Sequence, residues 1–168
     1  GTRPSDRPRE RGPNSAPTVD PGNNQTIASP STASPAGTPT DAPKPTPATL
    51  TQTWSKTSGA GTVTFTNANA VDTTATFSTA GTYVLTLTAN DTAVTTTDTV
   101  TITVDPQNQA PVVDAGAEPN IVWPDQDANV YGTVTDDGWP RGSTLTQTWT
   151  KDSGPGTVTF ANANAVNT

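Results

Sequence analysis

The chain has 168 residues, with 15 acidic and 8 basic side chains and a net charge of −7, a balance that disfavours nucleic acid and anionic lipid as partners. It contains no Cys, His or Met, which excludes a Ser-His-Asp triad, a Cys nucleophile, a disulfide and any Cys/His metal site. Its 37 Thr, 17 Pro and 13 Gly predict short strands and tight turns in place of helices. No apolar run is long enough to insert into a membrane.

Residues 1–13 hold four of the eight basic residues and three prolines without any apolar pattern, so we predict a disordered linker there. A first module follows at 14–104. Within it, 30–47 holds six prolines, and since proline cannot donate to a ladder we predict that its strand is short, displaced or absent. Further along, period-2 alternation of apolar residues predicts strands at 50–54, 63–65, 75–77, 81–89 and 100–104.

An internal repeat follows the first module. Residues 145–168 match 50–73 at 19 of 24 positions, at an offset of 95. A unit of about 95 residues has the size of an immunoglobulin-like sandwich. We therefore predict an all-β chain of immunoglobulin-like β-sandwich repeats, with a joint at 105–110 and a second module at 111–168. By the repeat, we predict that the second module keeps strands at 112–113, 121–122, 128–135, 145–149 and 158–160. It ends before the counterparts of the last strands of the first, and we predict that it is not stable alone.

The string from Trp54 to Phe65, Trp-x-Lys-x-Ser-Gly-x-Gly-Thr-Val-Thr-Phe, precedes Ala-Gly-Thr-Tyr-Val-Leu-Thr-Leu-Thr-Ala at 80–89. Together they resemble the PKD (polycystic kidney disease) domain superfamily, and they are most similar to bacterial repeats with Ser-Gly-Pro-Gly after the core tryptophan. The resemblance implies tandem modules of secreted or surface proteins, serving as spacers, adhesive units or accessory domains of hydrolases. The Trp-Asp-Phe-Gly-Asp-Gly signature of the best-known members is absent.

Alternation and the repeat also predict which side chains form the core. Tyr83, near the start of its strand, is a candidate tyrosine corner with its hydroxyl bound to the backbone. Lys56 and Lys151 are interpreted as strand-end lysines that reach water, with an isopeptide crosslink as the alternative. The predicted core comprises Trp54, Phe65, Phe77, Tyr83, Leu85, Leu87, Val100 and Ile102, with Trp149 and Phe160 in the second module.

Oxygen-bearing side chains are predicted to gather at one end of each sandwich. The start of the module, the loop between its second and third strands and the loop between its sixth and seventh strands share that end. Oxygen ligands suit calcium, and some PKD-like domains resemble this in binding calcium, so calcium is the one cofactor that the sequence leaves open. Ordinary turn chemistry is the alternative. The candidate ligands are Asn14, Ser15, Asp41 and Asp91 in the first module and Asn108, Asp136 and Asp137 in the second.

Trp123 and Trp139 have no counterpart in the first module, and each precedes a proline. An exposed indole can bind the face of a sugar or a protein partner, so both are candidate ligand-binding residues. The alternative is that such a tryptophan caps its own module or packs on the neighbouring module.

The sequence thus predicts a non-catalytic structural or adhesive module, a spacer or interaction repeat of a larger extracellular or cell-surface protein. An enzyme is disfavoured, because two catalytic carboxylates need a cleft between them and Asp136 and Asp137 are neighbours in a turn. The predicted partners are neighbouring repeats and other surface proteins or polysaccharide. A carbohydrate-binding accessory module of a secreted hydrolase, supported by Trp123 and Trp139, is the alternative.

Overall fold

The computed structural model describes residues 13–42 and 49–168. The predictions made for 1–12 and 43–48 lie outside these residues. The chain divides between Pro106 and Gln107 into two compact units, called unit 1 and unit 2. Throughout the described ranges there is no helix, and so none that is long and apolar enough to cross a membrane.

Unit 1 is a sandwich of two sheets. Its larger sheet has the order β1-β6-β5-β2, in which β1 runs parallel to β6 and the other neighbours are antiparallel. Its smaller sheet pairs β3 with β4 in antiparallel fashion. The predicted all-β, immunoglobulin-like fold is confirmed. The strands are β1 (Gln25–Ala28), β2 (Thr51–Ser58), β3 (Val63–Phe65), β4 (Ala75–Phe77), β5 (Gly81–Asn90) and β6 (Thr95–Asp105).

The core lies between the two sheets and follows the predicted alternation. Every second residue of β5 is buried, because successive side chains of a strand point to opposite faces. Trp54 on β2 is only 2% exposed. Phe65 and Phe77, which were also predicted for the core, are half-buried and pack against its rim. The buried apolar residues are Ala33, Trp54, Ala75, Tyr83, Leu85, Leu87, Ala89, Val100, Ile102 and Val104.

The outward side of the larger sheet is rich in threonine. Cross-strand pairs of β5 and β6 include Thr82 with Thr103, Thr86 with Thr99 and Thr88 with Thr97. Val84 interrupts this series opposite Thr101. A β-branched methyl packs on the pleated sheet while the hydroxyl meets water, so these strands keep one dry face and one hydrated face.

The proline-rich segment of unit 1 takes the position of a strand without forming a continuous ladder. Ala33 exchanges two hydrogen bonds with Ala75, at 3.1 and 2.9 Å. Pro35 has no N–H to donate, but its carbonyl accepts from Thr73 N–H at 3.3 Å. Ala33 and Pro35 are buried. The described part of 30–47 therefore contains isolated bridges and no regular strand, as the proline density predicts.

Unit 2 has less regular structure than the sequence predicts. Its strands are β7 (Val112–Asp114) and β8 (Thr133–Thr135), which pair antiparallel. The predicted strands at 121–122, 145–149 and 158–160 are wrong, and the one predicted at 128–135 forms only over its last three residues. In unit 1, β2 and β3 obtain their ladders from β5 and β4. Residues 107–168 contain no counterparts of these partner strands, so the strand-like patterns within them form no ladder.

Candidate functional site

The indole of Trp54 is enclosed by its own unit. Its Nε1 donates to the carbonyl of Val71 at 3.2 Å. Gly37 lies against the ring, where an added Cβ would overlap Leu87 Cδ2 and lie 3.3 Å from Trp54 Cζ2. Only glycine leaves room for this approach. Trp54 therefore holds the sheets together and offers no face to a ligand.

The same arrangement of indole, carbonyl acceptor and glycine recurs in unit 2, but there the indole is not enclosed. Trp149 Nε1 donates to the carbonyls of Ala165 and Val166 at 3.0 and 3.2 Å, and Gly132 lies against its ring. Its ring stacks on Phe160, with centroids 6.4 Å apart and an interplanar angle of 27°. Trp149 and Phe160, predicted as core residues, are only half-buried, because residues 107–168 contain no counterparts of β5 and β6, which cover Trp54 in unit 1.

Each lysine that follows a core tryptophan binds the Ser-Gly-x-Gly loop. Lys56 Nζ donates to the carbonyl of Gly61 at 2.5 Å and lies 5.9 Å from the centroid of the Tyr83 ring. Lys151 Nζ donates to the carbonyls of Gly154 and Gly156 at 2.5 and 2.6 Å. Both lysines remain exposed, so they tie a surface loop to the strand before it.

Tyr83 has the geometry of a tyrosine corner. Its side chain is fully buried, and its hydroxyl donates to the carbonyl of Thr79, four residues upstream, at 2.6 Å. Its ring lies 4.7 Å from that of Phe77, centroid to centroid, with the planes tilted by 53°. The residue thus fixes the turn that leads from β4 into β5.

Asp91 joins the start of unit 1 to the turn between β5 and β6. Its carboxylate is fully buried. Oδ2 accepts from Asn14 Nδ2 at 2.8 Å, and Oδ1 accepts from the N–H groups of Ala93 and Val94 at 2.8 and 2.7 Å. The structure therefore brings Asn14 and Asp91 together, as the sequence predicts for this end of the sandwich.

These donors decide how well calcium fits. A calcium ligand offers oxygen, whereas three N–H groups here point at the two oxygens of Asp91. Ser15 is exposed and Asp41 is half-buried on the second loop. Across 13–42 and 49–168, no group of three or more acidic, His or Cys side chains could hold a metal ion. The contacts of Asp91 suit a hydrogen-bonded link between two segments, called a latch below, better than a metal site with oxygen ligands. Calcium binding at this end of the sandwich stays a prediction.

The candidate ligands of unit 2 form a different latch, because Asp137 aligns with Ala42 and not with Asp91. Asp137 accepts from the N–H groups of Gln109 and Trp139, both at 3.0 Å, and Asp136 accepts from Gly138 N–H at 3.2 Å. Asn108, the counterpart of Asn14, is exposed. The start of unit 2 and its second loop therefore meet through turn chemistry.

The two additional tryptophans differ in accessibility. Trp123 is 79% exposed. Trp139 is half-buried, and the Arg141 guanidinium carbon lies 4.6 Å from the centroid of its ring, a cation–π geometry. Arg141 thus occupies one face of Trp139, which leaves Trp123 as the better platform for a ligand.

Sequence reasoning missed the two glycines beneath the tryptophans. The signal was present, because Gly-Thr-Pro-Thr-Asp at 37–41 and Gly-Thr-Val-Thr-Asp at 132–136 differ at one position and share the offset of 95. Gly37 N–H donates to Val71 O, and Gly132 N–H donates to Val166 O. The prolines of the segment 30–47 made this part of the repeat difficult to recognise in the sequence.

Comparison with known proteins gives several structural matches and a family. A PKD domain from the KIAA 1837 protein is 24% identical, covers 57% of this chain and 93% of its own, and has a TM-score of 0.43. The PKD domain of human KIAA0319 is 22% identical, covers 67% and 98%, and scores 0.47. A chimeric titin Z1Z2 carrying a decorin peptide is 13% identical, covers 82% and 70%, and scores 0.38.

Among curated protein sequences, none matches the chain at a significant level. The model of the K319L-like PKD domain matches residues 21–104, which is half of the chain and most of unit 1. The chain therefore belongs to the K319L-like PKD domain family.

Proposed function

We propose that the chain is a non-catalytic spacer of a larger, multi-repeat protein outside the cell or on its surface, and that its neighbours in that protein are similar repeats. PKD domains are typically extracellular structural or interaction modules. The buried Trp54 and Tyr83 and the latch at Asp91 all act within unit 1. These side chains stabilise the fold, which suits a structural role.

The observation that carries the proposal is the parallel pairing of β1 with β6. Four residue pairs join them, from Gln25 with Ile102 to Ala28 with Asp105, and Ser29 N–H donates to Asp105 O at 2.9 Å. β1 lies near the start of unit 1 and β6 at its end. Tension between the two ends would slide β1 along β6. All the hydrogen bonds between these strands would then carry the force at the same time and would have to break together. This geometry favours a module that bears load.

The acidic residues give little support to catalysis. Asp136 and Asp137 accept hydrogen bonds from main-chain N–H groups of their own loop or of Gln109. Asp91 is fully buried with three N–H partners. Each of these carboxylates has a local structural use, whereas hydrolysis by two acids needs them to face each other across a substrate cleft.

Single-molecule force spectroscopy tests the spacer. Since Ser29 N–H points at β6, alternation directs Ile27 N–H to β6 as well. Ile27→Pro would remove that donor, whereas Ile27→Ala keeps the donor and loses only side-chain packing. With the chain held at residues 13 and 106 and pulled at one fixed speed, we expect Ile27→Pro to unfold at a clearly lower force than Ile27→Ala. Equal forces for the two variants would remove the support that β1 and β6 give to the proposal.

A second candidate is the carbohydrate-binding accessory module, which the exposure of Trp123 favours. Co-sedimentation with insoluble polysaccharides such as cellulose, chitin and peptidoglycan tests it. Trp123→Ala should abolish binding if the indole stacks on sugar. Val122→Ala is a matched control, because Val122 is similarly exposed, at 72% against 79% for Trp123. Binding that survives Trp123→Ala, or no binding to any of these polymers, would count against this role.

A further inference from the structure

Two asparagines of unit 1 lie in the sequence that N-linked glycosylation requires. Asn24-Gln-Thr26 and Asn90-Asp-Thr92 are the two Asn-x-Ser/Thr sequences of the chain, and in neither is the middle residue proline. A glycan is bulky and hydrated, so the asparagine that carries it has to lie on the surface of the folded domain. The surroundings of the two side-chain amides therefore decide which asparagine is suited to modification.

The amide of Asn24 is held by its oxygen and not by its nitrogen. Asn24 directly precedes β1 and is exposed. Its Oδ1 accepts from the N–H group of Thr101 on β6 at 2.8 Å. Its Nδ2 donates to none of the residues that the structure describes. The atom that would carry the glycan is thus open to solvent, while the other atom of the same amide fixes the side chain.

The hydroxyl that completes this sequence lies on the same face of the strand. Asn24 and Thr26 are two residues apart, and alternate side chains of an extended segment share a face. Thr26 is exposed, whereas Ile27 is half-buried and packs against the core. β1 also lies at an edge of the larger sheet. The amide and the hydroxyl therefore face solvent together, on the side of β1 that takes no part in the core.

Asn90 differs because both atoms of its amide are engaged. It is half-buried at the end of β5. Its Nδ2 donates to Thr95 Oγ1 and its Oδ1 accepts from Thr92 N–H, both at 2.6 Å. Thr92 has a φ of 78°, in the left-handed region that β-branched residues rarely adopt. This sequence is therefore fixed in a compact turn, and a glycan on Nδ2 would compete with Thr95 for the space beside that nitrogen.

We propose that Asn24 is an acceptor for an N-linked oligosaccharide, and that the fold favours it over Asn90. In the reaction, Nδ2 attacks the anomeric carbon of a lipid-linked oligosaccharyl pyrophosphate. The new N–C bond forms as the bond from that carbon to the phosphate oxygen breaks, the lipid pyrophosphate leaves, and Nδ2 gives up one proton. Oδ1 is unchanged, so its hydrogen bond to Thr101 survives. The proposal rests on the extracellular location proposed above, because such glycans are added to exported chains.

The experiment expresses the full chain behind a secretion signal in a eukaryotic host, with an Asn-Ala-Thr tripeptide appended as an internal control. Mass spectrometry before and after peptide N-glycosidase treatment measures the occupancy of each asparagine. Thr26→Val removes the hydroxyl and keeps the β-branch, whereas Thr26→Ser keeps the hydroxyl. Asn24→Gln and Asn90→Gln each remove one acceptor. The signal exports the chain whatever its native location, so a failure would concern Asn24 and leave the spacer function untouched.

We expect a glycan at Asn24 in the unsubstituted chain, in Thr26→Ser and in Asn90→Gln, and none at this position in Asn24→Gln or Thr26→Val. Occupancy at Asn90 should be clearly lower than at Asn24. The melting temperature of unit 1 should agree within about 2 °C before and after removal of the glycan, as for a change at the surface. Three results would overturn the proposal: an empty Asn24 in a chain whose appended tripeptide is occupied, equal occupancy of Asn24 and Asn90, or a glycan at Asn24 that destabilises unit 1.

Discussion

Units 1 and 2 share a segment of 24 residues with nearly identical sequences, yet they differ in the structure that this segment forms. Residues 50–73 contribute two strands and a buried tryptophan. Residues 145–168 keep the same hydrogen bonds from Gln147 to Asn164 O and from Trp149 to Ala163 O, but they form no strand. The local contacts of the repeat are therefore determined by its own 24 residues, whereas strand formation depends on a partner strand outside them.

The largest expected effect is a difference in folding when the units are separated. Unit 2 lacks counterparts of seven core residues, and burying each contributes about 1.5–3 kcal/mol. This loss, about 10–20 kcal/mol, is as large as or larger than the roughly 5–15 kcal/mol of net stability typical of a domain. Expressed separately, 13–106 should melt cooperatively and 107–168 should not, as followed by circular dichroism. The missing counterparts are those of Phe77, Tyr83, Leu85, Leu87, Val100, Ile102 and Val104. A cooperative, monomeric melt of 107–168 would contradict the comparison.

The second-largest difference between the units is expected when each of the two core tryptophans is replaced by alanine. Trp54→Ala should lower the free energy of unfolding of unit 1 by about 3–5 kcal/mol, because it leaves a large cavity. Trp149→Ala should leave the unfolding of unit 1 unchanged, since Trp149 belongs to the other unit. Urea unfolding of the full chain measures both. An effect of Trp54→Ala below about 1 kcal/mol would mean that the indole is not part of the core.

The latches at Asp91 and Asp137 should differ by a smaller amount. Asp91→Ala would leave three N–H groups without their acceptor in a buried position, at a cost of about 1–3 kcal/mol to the free energy of unfolding. Asp137→Ala removes an exposed acceptor, and solvent can replace it, so its effect should stay within about 0.5 kcal/mol. The chemical denaturation midpoint of each variant gives the comparison. Equal costs would show that burial does not distinguish the two latches.

The smallest effect is expected at Lys56. Lys56→Met retains most of the aliphatic stem and removes the donor to Gly61 O. Because both groups are exposed, water can replace the lost partner, and unit 1 should lose less than about 0.5 kcal/mol. The loop at 58–61 should then exchange its amide protons faster, which hydrogen exchange can measure residue by residue. Unchanged exchange would indicate that the ammonium group does not hold the loop.

Much of unit 1 was predictable because its strands alternate strictly. In β5 the apolar residues at 83, 85, 87 and 89 all face inward, so one pattern specifies both the strand and its buried face. The placement of Asn14 and Asp91 at one end of the sandwich followed from the topology of the fold, but the hydrogen bond between them was not predicted. The role of Lys56 did not, because a lysine at a strand end reveals no acceptor and the carbonyl of Gly61 depends on the conformation of the loop.

The errors in unit 2 have one physical origin. The pattern at 128–135 specifies which face is apolar, but a β-strand also needs a neighbour to complete its hydrogen bonds. Where 133–135 meets 112–114, the strand forms. Where Leu145–Trp149 meets no ladder partner, the alternation remains and the strand does not form.

The threonine-lined face of the larger sheet has a consequence for the environments in which unit 1 can work. Hydroxyl groups carry no charge to be screened by salt, and threonine does not titrate as carboxylates and lysines do. The cross-strand pairs from Thr82 with Thr103 to Thr88 with Thr97 therefore hold the same hydration when acidity or ionic strength changes. Surroundings that vary in salt and pH would leave this side of the module unaltered.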